Sequence, residues 1–265
     1  PFYVTAHEIG HQWWAHQVLE ANVQGNAMIS EALAQYSALM VMKQNYPQEY
    51  MQKFLKYELD EYLDGRSQET KKEMTLEFVE QQGYIHYNKG SLVMYALQDY
   101  ISEDSVNVAL RRFIKDWAYS DGVYPTSADL LTYYEKVTPD SLMYILDDLF
   151  RKITLFENKT NKVVVEKSNE KYEVIMDITA EKIQADSLGY EYNVAMKDWI
   201  NVGIYAENLQ GKDSLIYYKK HYLDQKDNII SVEVDIKPSK AGIDPLNILI
   251  DKHPDDNVKQ VEIES

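Results

Sequence analysis

The chain has 265 residues, 45% of them hydrophobic, which is enough to bury one large core or two smaller ones. Its 27 basic and 43 acidic residues give a formal net charge of -16, so the surface repels phosphate backbones and we expect no nucleic-acid partner. The absence of cysteine excludes disulfides and leaves histidine and carboxylates as ligands for any zinc ion.

The sequence shows no signal peptide and no apolar stretch of membrane length. It opens at Pro1 without an initiator methionine, so we expect it to have been cut from a longer protein. A targeting signal or membrane anchor would then lie upstream, and localisation is left open.

Residues 1–150 have the apolar spacing of helices. The first helix is expected to begin near Phe2 and to run into the high teens. The polar stretch from Ser67 to Gln82 receives no assignment. Six further helices are predicted from apolar spacing, prolines and capping residues: Ile29–Lys43, Pro47–Gly65, Tyr87–Ile101, one capped by Asp104 or Ser105, one with a Thr126–Asp129 capping box, and a last one from Thr138 to Leu149.

After Arg151 the apolar period changes to two, which is typical of strands. We predict an α+β multidomain protein, with a helical domain at residues 1–151 and an immunoglobulin-like antiparallel β-sandwich at residues 152–265. A turn is expected at Asn158–Asn161. The predicted strands are Val163–Val165, Tyr172–Ile178, Trp199–Tyr205, Leu215–Tyr218, Ile229–Ile236 and Leu246–Ile250.

The motif His7-Glu8-Ile9-Gly10-His11 carries the chemistry of the first helix. Residues four apart lie on one helical face, so His7 and His11 can direct both imidazoles at one metal ion. Glu8 is then placed to accept a proton from a water bound to that ion. This is the His-Glu-x-x-His arrangement of zinc hydrolases.

A catalytic zinc ion needs a third protein ligand. His16 lies on a different helical face from the pair and one position away from the spacing of a metzincin ligand. Glu31, on the following helix, is the best remaining candidate. Glu20, at a helix end, and Glu49, farther along the chain, are poorer alternatives.

The segments His7–Trp14 and Ser30–Tyr36 resemble the aminopeptidase N family of gluzincins, and Tyr87–Gly90 resembles that family's Tyr-x-Lys-Gly motif. Nineteen residues, positions 12–30, separate His11 from Glu31, where the family has eighteen; we assign the extra residue to the loop at 22–26. Ala15-His16 replaces a Gly-Asn pair that many members have.

The resemblance implies that residues 1–151 are the helical part of a gluzincin catalytic domain. His7, His11 and Glu31 would bind one zinc ion per full-length chain, Glu8 would be the general base, and Tyr87 would stabilise the oxyanion. The implied activity is that of an aminopeptidase that cleaves peptides through a zinc-activated water.

In the family, a glutamate upstream of the zinc motif holds the substrate's free amino group, and a β-sheet precedes the zinc helix. We therefore expect an upstream portion of the polypeptide to complete the active site. The isolated 265 residues are expected to bind zinc weakly or not at all, and to be inactive. Tyr84 and His86 are further candidates for the cleft lining. The alternative hypothesis is a vestigial zinc site in a structural or interaction module of a larger membrane or surface protein.

Overall fold

The computed structural model describes residues 2–168 and 170–263 and divides into two compact units. The first comprises Pro1–Thr154 with Ala185–Tyr190, and the second comprises Leu155–Gln184 with Glu191–Ser265. The predicted fold class is confirmed, since a helical lobe is followed by a β-sandwich. Within the described residues, no helix is both long and apolar enough to cross a membrane.

The helical unit contains seven α-helices among its described residues, together with short π and 3-10 turns. The 3-10 turns are Leu76–Phe78 and Asp140–Leu142, and π-helical turns occur at Met28–Ala32, Tyr84–Lys89 and Asp147–Arg151. The α-helices are α1 (Phe2–Gly10), α2 (Leu33–Asn45), α3 (Gln48–Gln68), α4 (Gly90–Ile101), α5 (Glu103–Trp117), α6 (Ser127–Glu135) and α7 (Met143–Leu146).

Helix α4 forms the centre of this unit, because ten of its twelve residues are buried and a helix that is apolar on all sides must be surrounded. Helix α5 is amphipathic and buries only Val106, Ala109, Leu110 and Phe113. Helix α2 packs against α4, where the buried Tyr36 hydroxyl donates a hydrogen bond to Gln98 Oε1 at 3.1 Å.

Helix α1 is shorter than predicted, since it ends at Gly10 instead of in the high teens. Beyond it the chain turns back on itself: Ala15 takes a positive φ of 84°, and the Val18 N–H donates to the Trp13 carbonyl at 2.9 Å. The His11 N–H still donates to the His7 carbonyl at 3.3 Å. His11 therefore keeps its helical position relative to His7 although the helix ends one residue earlier.

Two predicted helix starts had different outcomes. The capping box of Thr126 and Asp129 is confirmed, with both reciprocal hydrogen bonds present. The cap at Asp104 or Ser105 was wrong, because Ser102 accepts the hydrogen bond from the Ser105 N–H. Ser102 has a φ of 80°, so a single residue both ends α4 and begins α5.

The β-unit has two sheets. One contains β3-β2-β1-β9 in that order with β6 also paired to β2, and the other has the order β5-β4-β7-β8. Neighbours with described registers are antiparallel except β1 and β9, which are parallel. The strands are β1 (Ile153–Ser168), β2 (Lys171–Ala185), β3 (Glu191–Val194), β4 (Asp198–Glu207), β5 (Asp213–Leu223), β6 (Asp227–Val234), β7 (Lys240–Ile243), β8 (Val258–Gln260) and β9 (Glu262–Ile263).

The period of two in the sequence places alternate residues on one face of each strand. In the β2–β6 pair, Val174 lies opposite Val232 and Met176 lies opposite Ile230, and all four side chains are buried. This apolar face fixes the register, because a shift of one residue would expose it.

Two predictions for the β-unit were wrong. Leu246–Ile250 is not a strand, because Asp244 has a φ of 39° and its carboxylate accepts hydrogen bonds from the N–H groups of Ile248 and Leu249. Asn158–Asn161 is not a turn but lies inside β1. There the buried Thr160 hydroxyl donates to the Asn257 carbonyl at 2.6 Å.

Candidate metal centre

The two histidines of the His-Glu-x-x-His motif meet at their Nε2 atoms, which lie 3.1 Å apart. Their rings are nearly perpendicular, with centroids 4.7 Å apart. His7 is buried on α1, and His11 is half-buried just beyond the end of that helix. The spacing of four residues along one helical turn brings both imidazole nitrogens to one point.

Glu31 completes the cluster from the π-helical turn Met28–Ala32. Its Oε2 atom lies 3.4 Å from His7 Nε2 and 3.5 Å from His11 Nε2. A tetrahedral zinc ion with bonds of about 2.0–2.1 Å separates its ligand atoms by about 3.3 Å. The three separations fit one tetrahedral ion, and within the described residues this group is the one His, Asp and Glu cluster compact enough to hold a metal.

Hydrogen bonds prepare two of these side chains for a cation. The Nδ1 atom of His11 lies 3.2 Å from the Trp14 carbonyl, which can only accept, so the proton lies on Nδ1 and the Nε2 lone pair faces the cluster. The hydrogen bond with His7 holds the pKa of the Glu31 carboxyl below its ordinary value, against the opposing effect of partial burial. The Nδ1 atom of His7 is buried and has no hydrogen-bond partner among the described residues.

Tyr87 and Glu8 lie beside the three candidate ligands. The Tyr87 ring centroid lies 5.5 Å from that of His7. Partial burial raises the pKa of the Tyr87 phenol, and the negative charge of Glu31 raises it further. The phenol is therefore protonated at neutral pH and available as a hydrogen-bond donor. Glu8 is exposed on α1, directly after His7, and its charge also raises the Tyr87 pKa.

A cleft of about 490 Å³ opens beside Glu31 and Tyr87. His86, one of the two further candidates for the cleft lining, lies in its wall. The other, Tyr84, is not among the wall residues and stacks on Tyr62, with ring centroids 6.0 Å apart. The wall contains the three carboxylates of Glu20, Glu31 and Glu80, together with neutral side chains that include Asn26, Ser30 and Gln81.

The other candidate ligands lie outside the compact group. His16 is exposed, and its Nδ1 atom is 2.6 Å from the His11 carbonyl. Glu20 lines the cleft, and Glu49 is exposed in the first turn of α3. Trp14 is buried, and its Nε1–H donates to Ser37 Oγ at 3.0 Å.

The π-helical turn that contains Glu31 offers a second place for the extra residue between His11 and Glu31. A π-helical turn contains more residues than an α-helical turn and inserts a residue without breaking the helix. Met28–Ala32 continues directly into α2. The extra residue of the 12–30 segment can therefore be taken up within this helix as well as in the loop at 22–26.

Sequence reasoning missed Glu58, a buried carboxylate whose hydrogen-bond partners lie on the same elements as the candidate ligands. The signal was present in the sequence of α3. Met51, Leu55, Leu59 and Tyr62 form an apolar stripe, and Glu58 lies on that stripe, seven residues after Met51. An acidic residue at a buried helical position calls for partners.

The helical lobe thus carries a compact group of two histidines and one glutamate, a ligand set that suits a metal ion. The profile described as "Peptidase family M1 domain" matches residues 2–149, which is more than half of the chain. The chain therefore belongs to peptidase family M1. This match confirms the resemblance to the aminopeptidase N family.

Two similar solved structures cover the chain to different extents. Aminopeptidase A from Legionella pneumophila, in complex with aspartic acid, is 16% identical with a TM-score of 0.54, and the match covers 99% of this chain and 27% of that one. This likeness extends to the fold alone, and the chain spans about a quarter of that protein's length.

A mutant M1 zinc metallopeptidase from Deinococcus radiodurans, bound to a Tyr-Ser-Ala substrate, is 20% identical over 57% of this chain and 33% of that one. Its TM-score is 0.45, which is below the level that establishes a shared fold. No curated protein matches the chain.

Proposed function

We propose that the protein is a zinc-dependent peptidase, and that the full-length polypeptide is an aminopeptidase that removes N-terminal residues from peptides. The observation that carries this proposal is the convergence of His7, His11 and Glu31 at separations of 3.1–3.5 Å. Membership of peptidase family M1 supports the reaction class and peptides as substrates. We propose residues 1–151 as the helical part of the catalytic domain and residues 152–265 as a β-sandwich domain.

His7, His11 and Glu31 would hold one zinc ion per chain, with two neutral imidazoles and one carboxylate as ligands. Bound zinc supplies a Lewis acid that makes a water molecule nucleophilic near neutral pH and polarises the scissile carbonyl. The hydrogen bond between His11 and the Trp14 carbonyl would keep that ring oriented and in the tautomer that a metal requires.

Glu8 and Tyr87 would move protons and stabilise charge. The Glu8 carboxylate accepts a proton from the attacking water and delivers it to the nitrogen of the leaving amine, which leaves Glu8 ionised for the next cycle. The Tyr87 hydroxyl donates a hydrogen bond to the oxygen of the peptide carbonyl as it becomes negatively charged. The raised pKa of Tyr87 supports this role, because only the protonated phenol can donate.

The experiment compares hydrolysis of aminoacyl-anilides by the full-length polypeptide and by its Glu8→Gln variant. We expect Glu8→Gln to lower kcat by roughly 10²–10⁴-fold while zinc content stays unchanged. Glu49→Gln is the matched control, because it removes an exposed carboxylate in the first turn of α3 that lies outside the candidate site, and it is expected to leave the rate unchanged. Equal rates for the wild type and Glu8→Gln would refute the proposal. If the wild type hydrolyses the free aminoacyl-anilides but not their N-acetylated forms, the result supports an aminopeptidase over an endopeptidase.

A further inference from the structure

Glu58 is a buried carboxylate on α3, with 1% of its surface exposed. Its Oε1 atom accepts hydrogen bonds from the Tyr3 hydroxyl at 2.6 Å and from Gln35 Nε2 at 2.9 Å. Its Oε2 atom accepts a hydrogen bond from Asn88 Nδ2 at 2.6 Å. Both oxygens of one carboxylate are thus bonded to neutral donors, and no basic side chain belongs to this cluster of four.

Each donor comes from a different element of the candidate site. Tyr3 lies on α1, four residues before His7 and therefore one turn away on the same face. Gln35 lies on α2, four residues after Glu31 along a continuous helix. Asn88 is the neighbour of Tyr87 in the π-helical turn Tyr84–Lys89.

Because Glu58 bonds all three elements through one rigid planar group, it fixes the distances between them. Hydrogen bonds to a buried carboxylate are short and strong, and leaving any of the donors unpaired in this interior is costly. A metal site must keep its ligands within about 0.5 Å of the working geometry, which requires support from residues around them. Glu58 provides that support without touching the candidate ligands.

We propose that Glu58 is a positioning residue that sets the candidate zinc ligands and Tyr87 relative to one another through Tyr3, Gln35 and Asn88. The inference rests on the proposed function. The three hydrogen bonds of Glu58 then have two different consequences. The bonds to Tyr3 and Gln35 set the histidine–glutamate geometry and hence zinc affinity. The bond to Asn88 sets the Tyr87 hydroxyl and hence the rate of the chemical step.

The test measures zinc affinity, by competition with a chromophoric chelator, together with kcat and KM in the full-length polypeptide. Glu58→Gln is expected to weaken zinc affinity and to lower kcat at saturating zinc, each roughly tenfold or more. Tyr3→Phe removes one hydroxyl and is expected to weaken zinc affinity several-fold with little change in kcat at saturating zinc. Asn88→Ala is expected to lower kcat roughly tenfold with zinc affinity and KM unchanged.

Glu73→Gln is the matched control. Glu73 is also a buried carboxylate bonded to a tyrosine, since it accepts from Tyr62 Oη at 2.7 Å and from Arg66 Nε at 2.8 Å. We expect its loss to lower the melting temperature and to leave zinc affinity and kcat unchanged.

The positioning role is overturned if Glu58→Gln lowers only the melting temperature, which is the result expected for Glu73→Gln. It is also overturned if Tyr3→Phe and Asn88→Ala both weaken zinc affinity alone, or both lower kcat alone. Tyr3→Phe and Asn88→Ala keep the role testable if Glu58→Gln does not fold. A wild-type protein that binds no zinc would instead overturn the proposed function, and this inference with it.

Discussion

A Cβ atom on Gly10 would lie 3.1 Å from the Cα atom and 3.2 Å from the carbonyl oxygen of Ala34. Helix α1 therefore approaches the backbone of α2 more closely than a side chain at position 10 would allow. Gly10 lies next to His11, and Ala34 lies three residues after Glu31 on the adjoining helix. This contact sets the distance between the histidine pair and the glutamate.

Gly10→Ala is expected to push α1 away from α2 by a few tenths of an ångström, because the contact atoms belong to backbone. We predict roughly tenfold weaker zinc affinity, since metal ligands tolerate little displacement. The measurement is chelator competition with Gly83→Ala as control, where a Cβ atom would meet only Tyr87 at an ordinary 3.7 Å. Equal zinc affinities for the two variants would show that the Gly10 contact does not set the site.

Ala15 has a φ of 84°, in the left-handed region that favours glycine. It follows Trp14, whose carbonyl lies 3.2 Å from His11 Nδ1, so the strained turn places a partner for a candidate ligand. The observed φ also gives a physical reason for glycine at this position in many members of the resembled family.

We predict that Ala15→Gly stabilises the protein by about 0.5–1 kcal/mol, because relief of the strain exceeds the entropic cost of glycine. Ala6→Gly, within α1, is the control and is expected to lower the free energy of unfolding by ~1 kcal/mol. Denaturant unfolding measures both changes. A loss of stability in Ala15→Gly would contradict the strain.

Lys89 is buried, and its Nζ atom has no hydrogen-bond partner among the described residues. It lies 5.4 Å from the centroid of the Tyr62 ring. Burial lowers the pKa of this amine from 10.5 to about 8, against an opposing effect of Glu73. Between pH 8 and 10.5 the unfolded chain therefore binds more protons at Lys89 than the folded chain does. The free energy of unfolding of the wild type consequently rises with pH through that window.

Lys89→Met is accordingly expected to be more stable than the wild type at pH 7, with an advantage that shrinks by on the order of 2–3 kcal/mol by pH 10. Denaturant unfolding at both pH values measures this difference. Lys53→Met provides the baseline, because Lys53 is exposed and lies 5.0 Å from the Tyr50 ring centroid. An advantage that does not change with pH would contradict a depressed pKa for Lys89.

The sequence was sufficient for the parts of the site that depend on local geometry. The spacing of His7 and His11 along one helical turn predicts their convergence, and the distance along the chain to Glu31 predicts which carboxylate joins them. The end of α1 at Gly10 was not predictable from apolar spacing, because it depends on the left-handed turn at Ala15 and on Trp14 packing against Ser37.

Tertiary arrangements account for most of what the sequence missed. Glu58 could be identified as buried from its place on the α3 stripe, but its three partners come from positions 3, 35 and 88. In the β-unit, Leu246–Ile250 has the composition of a strand. The Asp244 carboxylate accepts the Ile248 and Leu249 N–H groups instead, and this side-chain competition overrides strand propensity.

The most direct test of the account is the zinc content of the purified full-length polypeptide after dialysis, measured by elemental analysis for the wild type and three variants. We predict one zinc ion per chain in the wild type and in His16→Ala, and less than a tenth of that, roughly, in His7→Ala and Glu31→Gln. A wild type without zinc, or full zinc content in either ligand variant, would contradict the assignment of His7, His11 and Glu31 as the metal site.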